Sequence, residues 1–106
     1  MKTNNKVQLS GRLGNDPEMI TFYNGDKLTR FNLVTNKFLY EKDGKKHFDT
    51  QWHKVVVKGK YARKIAEDFN KGSEISLVGR LKSRSYFHKA DVKRNITEVV
   101  MGFLLS

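Results

Sequence analysis

Apolar and polar residues alternate through most of the chain, and this alternation predicts β-strands. It is clear over 6–13, where Val7, Leu9 and Leu13 fall on one side of an extended chain. Since successive strand residues point to opposite faces, such a segment has one core face and one solvent face. The same period recurs in four further segments and, more briefly, in a fifth: 28–35, 50–58, 73–86, 95–101 and 19–23.

Turn-forming pairs separate these segments and predict hairpins. Asn24-Gly25 follows the short apolar segment and is a strong signal for a tight turn back. Asp43-Gly44 lies at the tip of a long, lysine-rich hairpin, where glycine supplies the positive φ that the turn requires. A second, shorter hairpin is expected to turn at 89–91.

One segment, 60–72, changes the period from two to about 3.6 and predicts the single helix. Tyr61, Ile65 and Phe69 recur at helical spacing and form one apolar stripe, which we interpret as a core contact. Gly72 is expected to end the helix as a left-handed cap.

The order of these elements predicts an all-β fold. It is strand, strand, strand, helix, strand, strand, and Gly11 and Gly79 interrupt the first and fourth strands where a small barrel bends. This arrangement favours a five-stranded Greek-key OB-fold barrel with one α-helix between strands 3 and 4. An SH3-like barrel with an inserted helix fits the charge pattern less well. Residues 1–106 are expected to form one domain.

The charge balance points to an anionic partner. Twenty-one Lys and Arg residues face eleven Asp and Glu residues, which gives a formal net charge of +10. Nucleic acid is the first expectation, an anionic membrane surface the second, and a well-solvated surface the alternative to both. A membrane partner would need a basic amphipathic helix, whereas the predicted helix is weakly basic and has its own core face, so no membrane partner is expected.

Other features of the composition limit location and chemistry. No apolar run resembles a membrane span or a secretory signal, so a cytoplasmic location is expected. The absence of cysteine excludes disulfides and thiol redox chemistry. His47, His53 and His88 lie far apart without the spacing of a metal site or a nucleophile–base pair, and no phosphate-binding glycine loop occurs. We therefore expect no catalytic residue, no metal and no cofactor.

Two strands combine cations with an aromatic residue on one face. Trp52, the only tryptophan, shares a strand face with Lys54 and Lys58. The fourth strand repeats the pattern, with three cations followed by an aromatic residue, namely Arg80, Lys82, Arg84 and Tyr86. Rings that stack on bases and cations that neutralise phosphates are what binding of a single-stranded nucleic acid requires. The alternatives are a core tryptophan beside solvated lysines and an edge strand protected by charges.

Several motifs resemble the bacterial single-stranded DNA-binding protein family. The resemblance runs from about residue 5 to residue 101 and includes Leu13-Gly14, Asp16-Pro17-Glu18, Thr50-Gln51-Trp52-His53-Lys54 and Val78-Gly79-Arg80-Leu81. It implies an OB-fold that binds single-stranded DNA without sequence preference, usually as a homotetramer, in DNA replication, recombination and repair.

The resemblance also implies roles for individual positions. Trp52 matches a stacking tryptophan of the family, and Tyr86 stands where many members have another. A third stacking position aligns near Leu39, which leaves Phe38 and Tyr40 as its candidates.

Two further positions carry family roles with a difference. Lys58 replaces a phenylalanine that contacts DNA in some members, so a cation stands where a ring is expected. His53 matches a position of subunit contacts, or is a strand histidine satisfied within its own chain.

Family members usually continue through a flexible linker to an acidic tip that recruits partner enzymes. The sequence ends at Ser106 without one, so recruitment through such a tip is not expected; it is either a short member or the trimmed core of a longer one. Two rival functions stay open: a dimeric OB-fold accessory protein of the primosomal type, and an RNA chaperone of the OB or cold-shock class.

Overall fold

The computed structural model describes residues 5–89 and 92–106. The expected turn residues Ala90 and Asp91 lie outside this part of the chain. Within it, six strands and one helix follow in the order β1 (Val7–Leu13), β2 (Glu18–Thr21), β3 (Lys27–Lys42), β4 (Lys45–Lys58), α1 (Lys60–Asp68), β5 (Glu74–His88) and β6 (Val92–Leu104).

The strands form one sheet in the order β1-β5-β6-β4-β3-β2, and β1 also pairs with β3. All pairs are antiparallel except β4 with β6, where Val55 lies beside Val99. The all-β prediction with one helix between long strands is therefore confirmed.

The described residues form six strands, one more than the five predicted. The segment that begins at Glu18 pairs with β3 from Glu18 opposite Arg30 to Thr21 opposite Lys27. The turn at Gly25, whose φ is 93°, folds this short segment back onto β3, so it becomes a strand of its own. The Greek-key detail stays a prediction.

The core lies on one face of the sheet, as the alternation predicted. On β3 to β6 the members of the core cluster all have odd numbers, because side chains alternate along a strand, whereas Val56 is buried on the opposite face. They are Phe31, Leu33, Val55, Val57, Ile75, Leu77, Val99 and Met101, joined by Leu13 of β1 and Ile65 of α1.

The helix packs on this core, as its apolar stripe predicted. Ile65 is fully buried, and Tyr61 and Phe69 pack against the core cluster. The prediction for Gly72 was wrong, because the helix ends at Asp68 and Phe69 is already extended. Gly72 instead has a φ of 90° in the following turn, where its N–H donates to the carbonyl of Leu13 at 2.8 Å.

The two strand glycines lie where backbones approach closely. The register between β5 and β6 shifts between Val78 and Gly79, and the residue left without a partner is Gly102 of β6. A Cβ on Gly79 would clash with the carbonyl oxygen of Val100, and one on Gly11 with that of Val34. Glycine is therefore required by the packing at both positions.

Beyond the core, β3 and β4 continue as a long exposed hairpin, which we call the β3–β4 arm (36–51). Asp43 and Gly44 have φ values of 53° and 77°, so the expected tight turn is confirmed. β5 and β6 extend in the same way beyond Ser83, opposite Thr97. We call this second extension, 84–88 with 92–96, the β5–β6 arm, and both arms place side chains outside the core.

Candidate nucleic-acid interface

The register joins the two cation-bearing strands into one surface. β6 lies between β4 and β5, with Val100 beside Val56 on one side and opposite Arg80 on the other. Since the core takes the odd-numbered residues, the even-numbered residues of β3 to β6 share the opposite face wherever the register is regular, that is, up to Phe38 on β3 and up to Val100 on β6. We call this surface the cationic face; its charged members include Arg30, Lys54, Lys58, Arg80, Lys82, Arg84 and Glu98.

Trp52 is an exposed member of this face. It lies opposite Val34 in the register of β3 and β4, and 63% of its surface is accessible. Its ring approaches Gly14, where a Cβ would lie 3.1 Å from Cη2 and closer to Cζ3. The tryptophan is therefore not a core residue, and the absent side chain of Gly14 makes room for its ring.

The five cations predicted to contact phosphate differ in their partners. Among the residues that the structure describes, Lys54, Lys58, Arg80 and Lys82 form no ion pair. Arg84 instead donates from Nε to Oε1 of Glu98 at 2.9 Å.

The carboxylate of Glu98 is the less exposed partner of this pair, since only 14% of its side chain is accessible. Its hydrogen bond and negative charge raise the pKa of Arg84 above its ordinary value. Arg84 is thus charged, but a nearby carboxylate already offsets part of that charge.

Arg30 is a cation of this face that the sequence reasoning missed. Its Nη2 donates to Oε1 of Glu18 at 2.9 Å, across the pair of β2 and β3. The period of two puts Arg30 on the non-core side of its strand, but no aromatic residue between 28 and 35 shares that side to mark it. The cationic face therefore contains two Arg–Glu pairs as well as unpaired lysines.

The candidate stacking residues of the β3–β4 arm lie on opposite faces. Phe38 packs edge-on against Phe48, with ring centroids 5.8 Å apart, whereas Tyr40 stacks on His47 at 4.6 Å. A register shift between Phe38 and Tyr40 causes this separation, because their partners are consecutive residues of β4. Alternation along β4 then places Phe38 on the side of Trp52 and Tyr40 on the other side.

Tyr86 lies on the β5–β6 arm, on the same side as the cations of β5. Its ring centroid is 6.0 Å from Cζ of Arg84, and it lies opposite Arg94 in the register. This contact is a cation–π geometry at the limit of its usual range. An aromatic residue and a cation thus share one face on β5, as they do on β4.

His53 belongs to the core side of β4 and is partly buried. Its Nε2 lies 3.0 Å from Oγ1 of Thr35 on the neighbouring strand. The histidine is therefore satisfied within its own chain, which was one of the two interpretations of this position.

Three clefts follow one another along the cationic face. The first, of about 270 Å³, lies beside Lys54, and the second, of about 300 Å³, lies beside Lys58. Both clefts are lined by Arg30, Val56, Arg84 and Glu98, so they adjoin. The third, of about 440 Å³, shares Phe22, Leu28 and Lys58 with the second. The three clefts therefore adjoin one another in the direction of the β2–β3 turn.

Neither a metal site nor a membrane-spanning helix is found in the described part of the chain. Among the side chains described there, no three His, Asp or Glu residues come together as they would around a metal ion. No helix in that part of the chain is long and apolar enough to cross a membrane.

An all-β chain with one helix and an exposed face that combines cations with an aromatic residue has features in common with OB-fold proteins that bind single strands. A model of the single-strand binding protein family matches residues 4–104. The chain therefore belongs to the single-strand binding protein family.

Two relatives show how far this similarity extends. Single-stranded DNA-binding protein 1 of Chlorobaculum tepidum is 36% identical over 97 residues, which cover 91% of this chain and 60% of the relative. The chain thus spans about 60% of that relative's length. A solved structure of a Plasmodium falciparum SSB in complex with ssDNA superposes with a TM-score of 0.80 at 29% identity, over 94% of this chain and 88% of the other.

Proposed function

We propose that this protein binds single-stranded DNA without sequence preference, along the cationic face. The observation that carries the proposal is the exposed ring of Trp52 on the same face as Lys54 and Lys58. Every base offers a π surface to such a ring, and every linkage offers a negative charge to the lysines. The family and the two relatives support the same ligand.

Stacking supplies the base contacts. Trp52 stacks a base on the cationic face itself. Phe38 stacks another on the β3–β4 arm, and Tyr86 stacks a third on the β5–β6 arm. Each such contact contributes about 1–3 kcal/mol to binding. Tyr40, on the opposite side of the β3–β4 arm, is the weaker candidate of the four.

Phosphate contacts supply the remaining affinity. Lys54, Lys58, Arg80 and Lys82 neutralise phosphates and release counterions, so affinity falls as salt rises. Arg84 contributes less, because Glu98 already accepts its hydrogen bond. Duplex DNA binds weakly, because its bases are stacked on one another and do not reach the rings.

The assembled protein is proposed to be a homotetramer that protects single strands during replication, recombination and repair. The family membership supports this role. His53, whose Nε2 lies 3.0 Å from Oγ1 of Thr35 in its own chain, is the proposed subunit-contact residue. The pairings of β1 with both β5 and β3 support a five-stranded Greek-key barrel to which β2 is added.

A competition experiment tests the ligand. A labelled oligo(dT) bound to the protein is displaced by unlabelled single-stranded DNA, by duplex DNA and by RNA of matched length and sequence. The proposal predicts that single-stranded DNA displaces half of the labelled oligo(dT) at a lower concentration than duplex DNA or RNA does. Equal competition by the duplex would refute it, and preferred competition by RNA would support an RNA chaperone instead.

A further inference from the structure

An aromatic residue that the sequence motifs did not select lies at the β2–β3 end of the cationic face. Phe22 follows the last residue of β2, and 46% of its surface is exposed. Its N–H donates to the carbonyl of Asp26 at 2.8 Å, and its own carbonyl accepts from the N–H of Gly25 at 2.9 Å. This tight turn holds the backbone of Phe22 in place, so the ring is presented from a fixed point.

The ring lies where two clefts meet. Phe22, Leu28 and Lys58 line both the cleft of about 300 Å³ and the cleft of about 440 Å³. Val56 and Val100 add apolar surface to the cleft of about 300 Å³. Asp26 and Lys27, which carry opposite charges, line the cleft of about 440 Å³. The shared wall is therefore an aromatic ring and an aliphatic side chain beside a lysine.

The charges around the ring favour an anion. Lys58 and Lys82 both line the cleft of about 300 Å³ and form no ion pair within the described part of the chain. The two arginines of this cleft already form ion pairs, Arg30 with Glu18 and Arg84 with Glu98. The uncompensated charge therefore comes from the lysines, next to the half-exposed ring of Phe22.

We propose that Phe22, Lys58 and Lys82 form a nucleotide subsite in which a base stacks on Phe22 and its phosphate contacts the two lysines. This inference rests on the proposed function and extends it to one more nucleotide. Trp52 and Lys58 are six residues apart on β4, a separation of about 20 Å at ~3.3 Å per residue. The subsite thus lengthens the single-strand track from Trp52 to the β2–β3 turn.

The subsite is tested by Phe22→Ala with Tyr23→Ala as its matched control. Tyr23 is the next residue of the same turn and is fully solvent-exposed, at 105%. Affinity is measured for oligo(dT) over a range of lengths, from about 4 to 16 nucleotides, which spans the site sizes of OB-folds. Quenching of Trp52 fluorescence at saturation is recorded in the same titrations.

Loss of Phe22 is expected to weaken binding of the longer oligonucleotides roughly 5- to 150-fold, the range of one lost stack. The shortest oligonucleotides that still quench Trp52 should not reach Phe22. Their affinity for Phe22→Ala should therefore lie within about 2-fold of wild type, a smaller change than the loss of one stack. Tyr23→Ala should match wild type at every length. Equal affinities for Phe22→Ala and Tyr23→Ala across the whole series would overturn the subsite.

A second variant separates stacking from packing. Phe22→Leu keeps an apolar side chain but removes the π face, and circular dichroism reports whether each variant is folded. Weakened binding by folded Phe22→Leu supports stacking, whereas wild-type affinity contradicts it. A wild-type protein that neither binds oligo(dT) nor loses Trp52 fluorescence would refute the proposed function itself, a result distinct from failure of the subsite.

Discussion

Gly14 and Trp52 are in such close contact that any side chain at residue 14 would occupy the space of the indole ring. A Cβ there would lie 3.1 Å from Cη2 of Trp52, closer still to Cζ3, and 3.1 Å from Cγ2 of Val34. Gly14 follows β1, and Trp52 belongs to β4, so the contact joins distant parts of the chain. The glycine therefore fixes where the exposed ring lies.

Gly14→Ala is expected to weaken single-stranded DNA binding while the fold is kept. The added methyl group displaces the ring of Trp52 from its position, and a displaced ring loses part of a stack that is worth about 1–3 kcal/mol. Affinity for oligo(dT) and the emission maximum of Trp52 are the measurements.

Gly102→Ala is the matched control for this change, because its nearest contact would be an ordinary 3.8 Å approach to the carbonyl of Val78. If both variants bind like wild type, the contact with Gly14 has no effect on recognition.

Glu98→Gln is expected to strengthen binding and to steepen its salt dependence. The amide keeps a hydrogen-bond acceptor for Arg84 but removes the negative charge, which leaves the guanidinium available to phosphate. One additional contact changes the slope of log K against log salt by about 0.7 for a single strand. Affinities at several salt concentrations give this slope.

Glu67→Gln makes the same change of net charge on the helix, where Glu67 pairs with Arg63 away from the cationic face. It should leave the slope unchanged. Equal slopes for Glu98→Gln and Glu67→Gln would mean that only net charge matters. Lys82→Gln should reduce the slope by a similar amount, since Lys82 has no carboxylate partner within the described residues.

Phe38→Ala is expected to weaken binding more than Tyr40→Ala does. The register shift between these residues turns Phe38 towards the side of Trp52 and Tyr40 away from it. Loss of one stack reduces affinity by about 1–3 kcal/mol, and the alanine variant of Tyr40 should lose less. Oligo(dT) titrations of both variants decide the order, and a larger loss for Tyr40→Ala would contradict the assignment of faces.

Gly79→Ala is expected to destabilise the protein by about 1–3 kcal/mol, the usual cost of overpacking. Its Cβ would meet the backbone carbonyl of Val100, which cannot move as a side chain end does. Urea unfolding at fixed protein concentration should show a lower midpoint with an unchanged m-value. Gly102→Ala should unfold within about 0.5 kcal/mol of wild type; a similar midpoint for Gly79→Ala would contradict the clash.

Local patterns were enough to predict much of this structure. Alternation placed Leu13 on the core side of its strand and Lys54 on the same face as Trp52, and the 3.6 period gave the buried Ile65. The end of the helix was misplaced because glycine favours positive φ in any turn, so Gly72 marked a turn rather than a helix cap.

Long-range relationships were not available from such patterns. Glu98 partners Arg84 across two strands, and Phe22 reaches the cleft of Lys58 through the pairing of β2 with β3. Neither contact follows from the residue types near each position. The register shift between Phe38 and Tyr40 was hidden for the same reason, since it depends on how β3 pairs with β4.

The central claim is that Trp52 stacks on single-stranded DNA, and titration of its intrinsic fluorescence with oligo(dT) tests this most directly. Trp52 is the only tryptophan in the chain, so its signal has one source. The account predicts strong quenching by oligo(dT), little response to duplex of the same length, and weaker binding at higher salt. Unchanged fluorescence on saturation with oligo(dT), or equal quenching by the duplex, would contradict it.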